Sequence, residues 1–92
     1  MSRDEELALL DKFTNALAND KSAYSLISSE LLINRKDNSI ARGCVFASKT
    51  KTYTIAILPD CSLMGDISKT PLSLINLICR NLDVASQMDT PL

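Results

Sequence analysis

The first twenty residues place apolar side chains at the spacing of an amphipathic helix. These positions recur every three or four residues and are Leu7, Leu10, Phe13 and Leu17. Ser2 and Glu5 have the spacing of a capping box, in which each side chain binds the backbone N–H of the other residue. We expect this helix to end near Asn19-Asp20, where two poor helix formers meet.

Between Glu30 and Asp60 the apolar spacing changes to the alternation that is typical of β-strands. The pattern predicts three antiparallel strands: one that ends at Ile33, one over residues 40–48 and one over residues 52–57. Two short polar segments between them predict turns, Lys36-Asp37-Asn38-Ser39 and Lys49-Thr50-Lys51. The region is therefore expected to form a meander, which Pro59-Asp60 ends.

Residues 21–29 fit two different structures. Ser22 has the character of an N-cap for a short helix that would carry Tyr24 and Ile27 at helical spacing. The alternate positions from Ile27 to Ile33 fit a strand equally well. We favour a short connection that leads into a strand beginning near Ser28.

The second predicted strand is apolar on both faces. One face carries Ile40, Cys44 and Phe46, interrupted by Arg42. The other face has small side chains and no charge, and consists of Ala41, Gly43, Val45 and Ala47. Two apolar faces suit the centre of a meander, and the small side chains allow another element of this chain or a second molecule to approach closely.

The third predicted strand is apolar on one face only. Its core side is expected to consist of Tyr53, Ile55 and Ile57. Thr52 and Thr54 are expected to face outward, because side chains alternate between the two faces of a sheet. Residues 61–69, which follow, are interpreted as a loop.

A second helix is predicted after Thr70-Pro71, an N-cap residue followed by a first-turn proline. Its polar side chains form one narrow stripe, namely Ser73, Asn76, Arg80 and Asp83. The remaining surface is more apolar than packing on one small sheet requires. We therefore expect a partner surface that consists of Leu74, Leu77 and Ile78, with Val45 of the second strand. The alternative is that the first helix or the loop at Leu63-Met64 covers the excess.

The chain of 92 residues is expected to be a single domain, 1–92. Its apolar pattern fades after Val84, so residues 85–92 are expected to be a frayed tail. The fold class is α+β: an N-terminal amphipathic helix, a three-stranded antiparallel β-meander and a C-terminal helix. Both helices are expected to pack on one face of the sheet.

The residue types present argue against an enzyme. The chain has no histidine, which removes the commonest general base and metal ligand. Its cysteines are dispersed without C-x-x-C spacing, at Cys44, Cys61 and Cys79. That pattern is typical of free thiols in a reducing compartment, although a reactive Cys61 in the loop stays an alternative. We expect no catalytic residue, no metal site, no cofactor and no small-molecule substrate.

Ten basic and eleven acidic side chains give a net charge of −1. Such a balance is untypical of proteins that bind nucleic acid or membrane surfaces through clustered basic residues. The start of the chain lacks the basic and apolar regions of a signal peptide. The predicted location is cytoplasmic, or nuclear in a eukaryote.

The expected function is therefore that of a small non-enzymatic protein-interaction module. An adaptor, a secretion-chaperone-like protein and an inhibitory subunit all fit this class. It would act as a homodimer or within a hetero-complex, because a small core with few aromatic side chains gains stability by burying more surface against a partner. The alternative is an RNA-binding module that uses the sheet and its basic turns.

Overall fold

The computed structural model describes residues 2–87 of the chain. In chain order its elements are helix α1 (Arg3–Asn19), strands β1 (Ser25–Ile33), β2 (Ile40–Ala47), β3 (Thr52–Ile57) and β4 (Leu63–Gly65), a short 3₁₀ turn (Ile67–Lys69) and helix α2 (Leu72–Gln87). The strands form one antiparallel sheet in the order β1-β2-β3-β4. The predicted α+β fold is confirmed, with one strand more than the sequence pattern indicated.

Helix α1 begins at the predicted capping box. Ser2 Oγ accepts a 3.2 Å hydrogen bond from the backbone N–H of Glu5, and the Glu5 side chain accepts one from the backbone N–H of Ser2. The helix ends at Asn19, and the following residue, Asp20, caps it by donating its N–H to the carbonyl of Leu17. Both ends therefore lie where the sequence predicted them.

Strand β1 is longer than predicted, because it begins at Ser25 instead of near Ser28. Ser22 Oγ accepts a 3.1 Å hydrogen bond from the N–H of Tyr24, so the Ser22 side chain stabilises a turn before the strand and does not cap a helix. A β-bulge at Ile27 then shifts the register with β2. This extra residue interrupts the alternation between Leu26 and Ser28, which is why the sequence pattern did not show that the strand begins at Ser25.

Strand β4 is the element that the sequence pattern missed, since it lies in the segment that was interpreted as a loop. The turn after β3 reverses the chain, with Cys61 N–H bound to the carbonyl of Leu58 at 2.9 Å. Leu63 and Gly65 then pair with Ile57 and Ile55. Three residues are too few to show a periodic pattern, so only the turn sequence signals this strand.

The core lies between the two helices and one face of the sheet. The buried apolar side chains are Leu9, Leu10, Phe13 and Leu17 from α1, Ile40, Cys44, Phe46, Ile55 and Ile57 from the sheet, and Leu74, Leu77, Ile78, Leu82 and Ala85 from α2. Ile55 and Ile57 face this core as predicted, and Tyr53 is half-buried at its margin.

Helix α2 continues to Gln87, and Ala85 is buried within it. The predicted frayed tail is therefore wrong for residues 85–87, because the small side chain of Ala85 packs in the core while its neighbours face solvent. Residues 88–92 of that predicted tail lie outside the described part of the chain.

Candidate interaction surface

Strand β1 lies at one end of the sheet, and the side of it that faces away from β2 is here called the open edge. The N–H of Asn34 donates to the carbonyl of Ser39 at 2.8 Å, which makes Asn34 and Ser39 a hydrogen-bonded pair across the hairpin. Because such pairs alternate along an antiparallel ladder, the backbone groups of Ser29, Leu31 and Ile33 point away from β2. The open edge thus presents donors and acceptors for another strand.

The side chains along β1 are unusually apolar for an exposed edge. Four of them are well exposed: Ile27 at 57%, Leu31 at 40%, Leu32 at 41% and Ile33 at 56%. Proteins commonly protect such strands with lysine, proline or several charged residues. From Ser25 to Ile33 this strand has a single charged residue, Glu30, and no proline. Its main protection is the bulge at Ile27.

The face of the sheet opposite the helices, here called the outer face, is also apolar. Leu32, Ala41, Ala56 and Met64 line a shallow depression of about 290 Å³ on it. No helix of residues 2–87 packs on this side, because the buried side chains of both helices meet the other face. The outer face and the open edge meet at Leu32, so they form one continuous surface.

Gly43 shapes the outer face next to the open edge. A Cβ atom at this position would lie 2.9 Å from Cδ1 of Leu32 on the neighbouring strand. The Leu32 side chain therefore lies across the space that a larger residue in β2 would fill. The small-residue face that the sequence predicted is present, and within the described chain a β1 side chain partly covers it.

The predicted partner surface on α2 requires a correction. Leu74, Leu77 and Ile78 are 0%, 3% and 0% exposed, so they belong to the core and offer no surface to a partner. The excess apolar area of α2 is covered by α1, whose buried side chains share the same core cluster. This was the alternative that the sequence left open. Val45, by contrast, is half-buried on the outer face, where it pairs with Thr54.

Sequence reasoning missed the open edge itself. The apolar residues from Leu31 to Ile33 were expected to form a strand, but alternation does not show which strand lies at the end of a sheet. One signal was available: in a meander of consecutive strands, the first strand always lies at an edge. Its three consecutive apolar residues, Leu31-Leu32-Ile33, place apolar side chains on both faces of that edge.

Two of the three thiols, those of Cys44 and Cys61, have a raised pKa. Burial raises the pKa of Cys44, although Ser29 and Arg42 partly oppose that effect. Partial burial and the neighbouring carboxylates of Asp60 and Asp83 raise the pKa of Cys61. A raised pKa keeps the thiol protonated and lowers its nucleophilicity. Among residues 2–87 there is no group of His, Cys, Asp or Glu side chains that could hold a metal ion.

A second depression, of about 450 Å³, lies between the ends of the helices and is lined by Ala16, Asp20, Arg80, Asn81 and Val84. Its polar groups bind one another. Asp20 Oδ2 accepts from Arg80 Nε at 3.0 Å and from Asn81 Nδ2 at 2.8 Å. The arrangement fastens α1 to α2, and it leaves no buried polar side-chain atom of the described residues without a partner.

Comparisons of the chain with protein-family models, with curated proteins and with solved structures found no match. Neither described helix is both long enough and apolar enough to cross a membrane. Function must therefore be argued from the surface itself.

Proposed function

We propose that this chain is a small non-enzymatic protein-interaction module that binds a protein partner along the open edge of β1. The observation that supports this proposal is the combination of free backbone groups and exposed apolar side chains on one strand. Ile27, Leu31 and Ile33 lie beside those groups and are 57%, 40% and 56% exposed. Adaptor, secretion-chaperone-like and inhibitory roles all require such a surface.

The binding mode that fits this surface is strand addition. A partner strand beside β1 would bind the free N–H and C=O groups of Ser29, Leu31 and Ile33, which supplies affinity through the main chain. Specificity would come from side chains that meet Leu31 on the helix side and Leu32 on the outer face. The depression beside Leu32 and Met64 offers space for one apolar side chain of the partner.

The alternative function, an RNA-binding module, has less support. Sheets that bind single-stranded RNA present aromatic side chains on which bases stack, together with basic groups. Of the aromatic side chains among residues 2–87, Phe13 and Phe46 are buried in the core, and Tyr24 and Tyr53 contact each other at the helix side of the sheet, with ring centroids 6.4 Å apart. The outer face consists of aliphatic and small polar residues together with Met64, and it carries the acidic Glu30. We also propose a cytoplasmic or nuclear location, which agrees with free thiols at Cys44, Cys61 and Cys79.

Affinity capture from an extract of the native cells, repeated with purified proteins, tests the proposal. The informative variant is Leu31→Pro, because the Leu31 N–H points to the open edge and its loss removes no bond to β2. The matched control is Val84→Glu, on the exposed side of α2 away from the sheet. Partners that bind wild type and Val84→Glu but not Leu31→Pro support strand addition. Partners that bind Leu31→Pro as well as wild type would contradict it.

Filter binding with a labelled single-stranded RNA at two salt concentrations tests the alternative. Tight binding at low salt that weakens steeply as the salt concentration rises would support the RNA-binding function. The absence of binding at both concentrations would reject it.

A further inference from the structure

We infer that the partner at the open edge is a second copy of this chain, so that two β1 strands pair about a two-fold axis and form one eight-stranded sheet. This inference rests on the proposed function, and it specifies the occupant and the register. An isologous contact requires that one strand be complementary to itself when its direction is reversed. The bulge, the single charge and the three residues of β1 whose backbone groups point outward favour one register, with the axis at Leu31.

The bulge at Ile27 limits the part of β1 that can pair regularly. In two paired strands without a bulge, the backbone N–H and C=O groups that form the ladder stay opposite each other. An extra residue in one strand shifts these groups by one position, so regular pairing does not continue past it. The regular part after the bulge ends with the strand at Ile33 and includes three residues whose backbone groups point outward, Ser29, Leu31 and Ile33. A two-fold axis at Leu31 uses all three in both copies, since Ser29 then faces Ile33 of the second copy.

The single charge on the strand disfavours the register with the axis at Glu30. With the axis at Glu30, two carboxylates would lie directly opposite each other in the closely spaced position of an antiparallel pair, which is destabilising. With the axis at Ser29, Leu31 would face the bulged Ile27 of the second copy, and the ladder would break on both sides. With the axis at Leu31, Glu30 faces the aliphatic Leu32 of the second copy on the outer face, where its carboxylate reaches water.

The same register covers two of the exposed apolar side chains, Leu31 and Ile33. Leu31 pairs with Arg42 and Ile33 pairs with Ile40 in the register of β1 with β2, so Leu31 and Ile33 lie on the helix side of the sheet. A two-fold axis perpendicular to the sheet leaves the helix sides of both copies on the same side of the joined sheet. Leu31 and Ile33 of each copy then form one apolar cluster across the axis, and the outer faces join into one continuous surface.

The proposed contact is small for an interface between proteins. A standard interface buries about 800 Å² per partner, and the described chain exposes 6148 Å² in all. Edge pairing of five residues buries less than that standard. We therefore expect a reversible dimer whose population rises with protein concentration.

Sedimentation equilibrium over a range of protein concentrations tests for the dimer. Wild type is expected to shift from monomer to dimer with concentration, Leu31→Pro to stay monomeric, and Val84→Glu to behave as wild type. Leu31→Glu is a second edge variant whose monomer is expected to fold, because the new carboxylate faces Arg42 of β2. It should also stay monomeric, because the axis brings the two carboxylates together.

Disulfide trapping tests the register in a Cys61→Ser/Cys79→Ser background. Leu31→Cys is expected to form an intermolecular disulfide efficiently, because residues on the axis lie about 5.5 Å apart between Cα atoms. Ser28→Cys should not, since its two copies would lie about 20 Å apart. A faster disulfide at Glu30→Cys than at Leu31→Cys would overturn the register.

The two proposals fail in different ways. A wild-type chain that stays monomeric at all concentrations, while Leu31→Pro still abolishes capture of another protein, refutes the homodimer and leaves strand addition intact. A wild-type chain that neither dimerises nor loses partners on Leu31→Pro refutes both.

Discussion

The carboxylate of Asp20 accepts a 2.8 Å hydrogen bond from the side-chain amide of Asn81, which joins the C-terminal end of α1 to the third turn of α2. The same amide nitrogen donates to the carbonyl of Leu77 at 2.8 Å, so both of its protons are used. Arg80 adds an ion pair to Asp20, with Nη2 2.9 Å from Oδ2. Asn81 is buried, and burying a polar side chain is tolerated because its hydrogen bonds are made.

The first prediction concerns the pH dependence of stability. The hydrogen bonds from Asn81 and Arg80 lower the pKa of Asp20 below its ordinary value. A carboxyl group with a lowered pKa stabilises the folded state above its unfolded pKa, and this contribution is lost as the pH falls through the folded pKa. Asp20→Asn is therefore expected to be less stable than wild type at pH 7, and the difference should shrink as the pH falls through the lowered pKa of Asp20. Urea unfolding at several pH values measures the free energy of unfolding of wild type and of Asp20→Asn.

The control for this prediction is Asp37→Asn. Asp37 also has a lowered pKa, through hydrogen bonds from Ser39 within a turn, but it does not join the two helices. In an Asn81→Ala background, the pH-dependent difference in stability between Asp20 and Asp20→Asn should be smaller. The corresponding difference between Asp37 and Asp37→Asn should be unchanged. A difference between wild type and Asp20→Asn that stayed constant from pH 7 to pH 3 would show that charge plays no part.

The second prediction separates the core of α2 from its surface. Leu77→Glu is expected to unfold the protein, because an unpaired carboxyl group in an apolar core costs several kcal/mol and a small domain has only about 5–15 kcal/mol in total. Val84→Glu is expected to keep the fold, since Val84 is 44% exposed. Far-ultraviolet circular dichroism with gel filtration measures fold and association together. A folded Leu77→Glu variant would show that residue 77 is not a core position.

The sequence predicted most of the fold because its longer elements carry regular apolar spacing. The period of α1, the alternation of β3 and the turns on either side of β2 are local signals, and all lie where they were predicted. The errors lie where local signals are weak: a bulge at Ile27 disguised the start of β1, and β4 is only three residues long.

The candidate surface was harder to predict than the fold. The apolar excess of α2 is real, but Leu74 and Leu77 are buried in a core that includes side chains of α1, a helix more than fifty residues earlier in the chain. The apolar residues at Leu31-Leu32-Ile33 fit a buried strand as well as an exposed one. Only the strand order shows that they lie at an open edge.

The third prediction compares the two glycines. Gly65 has a φ of +128°, and a Cβ atom there would lie 3.0 Å from the backbone oxygen of Thr54. Gly65→Ala is expected to cost about 1–3 kcal/mol, because neither the strain nor the backbone contact is easily relieved. Gly43→Ala should change stability by less than about 1 kcal/mol, because the contacting atom belongs to the flexible, exposed side chain of Leu32. Denaturant unfolding of both variants measures this difference, and equal costs would contradict it.

The last prediction concerns the turn between β3 and β4, where Cys61 has a left-handed φ of 71°. The N–H of Cys61 binds the carbonyl of Leu58, and the N–H of Leu58 binds the carbonyl of Ser62, so the turn holds residue 61 in this conformation. A glycine commonly occupies this position in three-residue hairpin turns, because it has no Cβ to clash. Cys61→Gly is therefore expected to be more stable than Cys61→Ala by about 1 kcal/mol, since alanine keeps the strain and glycine removes it. Thermal and urea unfolding of the two variants measure the difference while both lack the thiol. If the alanine variant were the more stable one, the turn would not hold residue 61 in a left-handed conformation in solution.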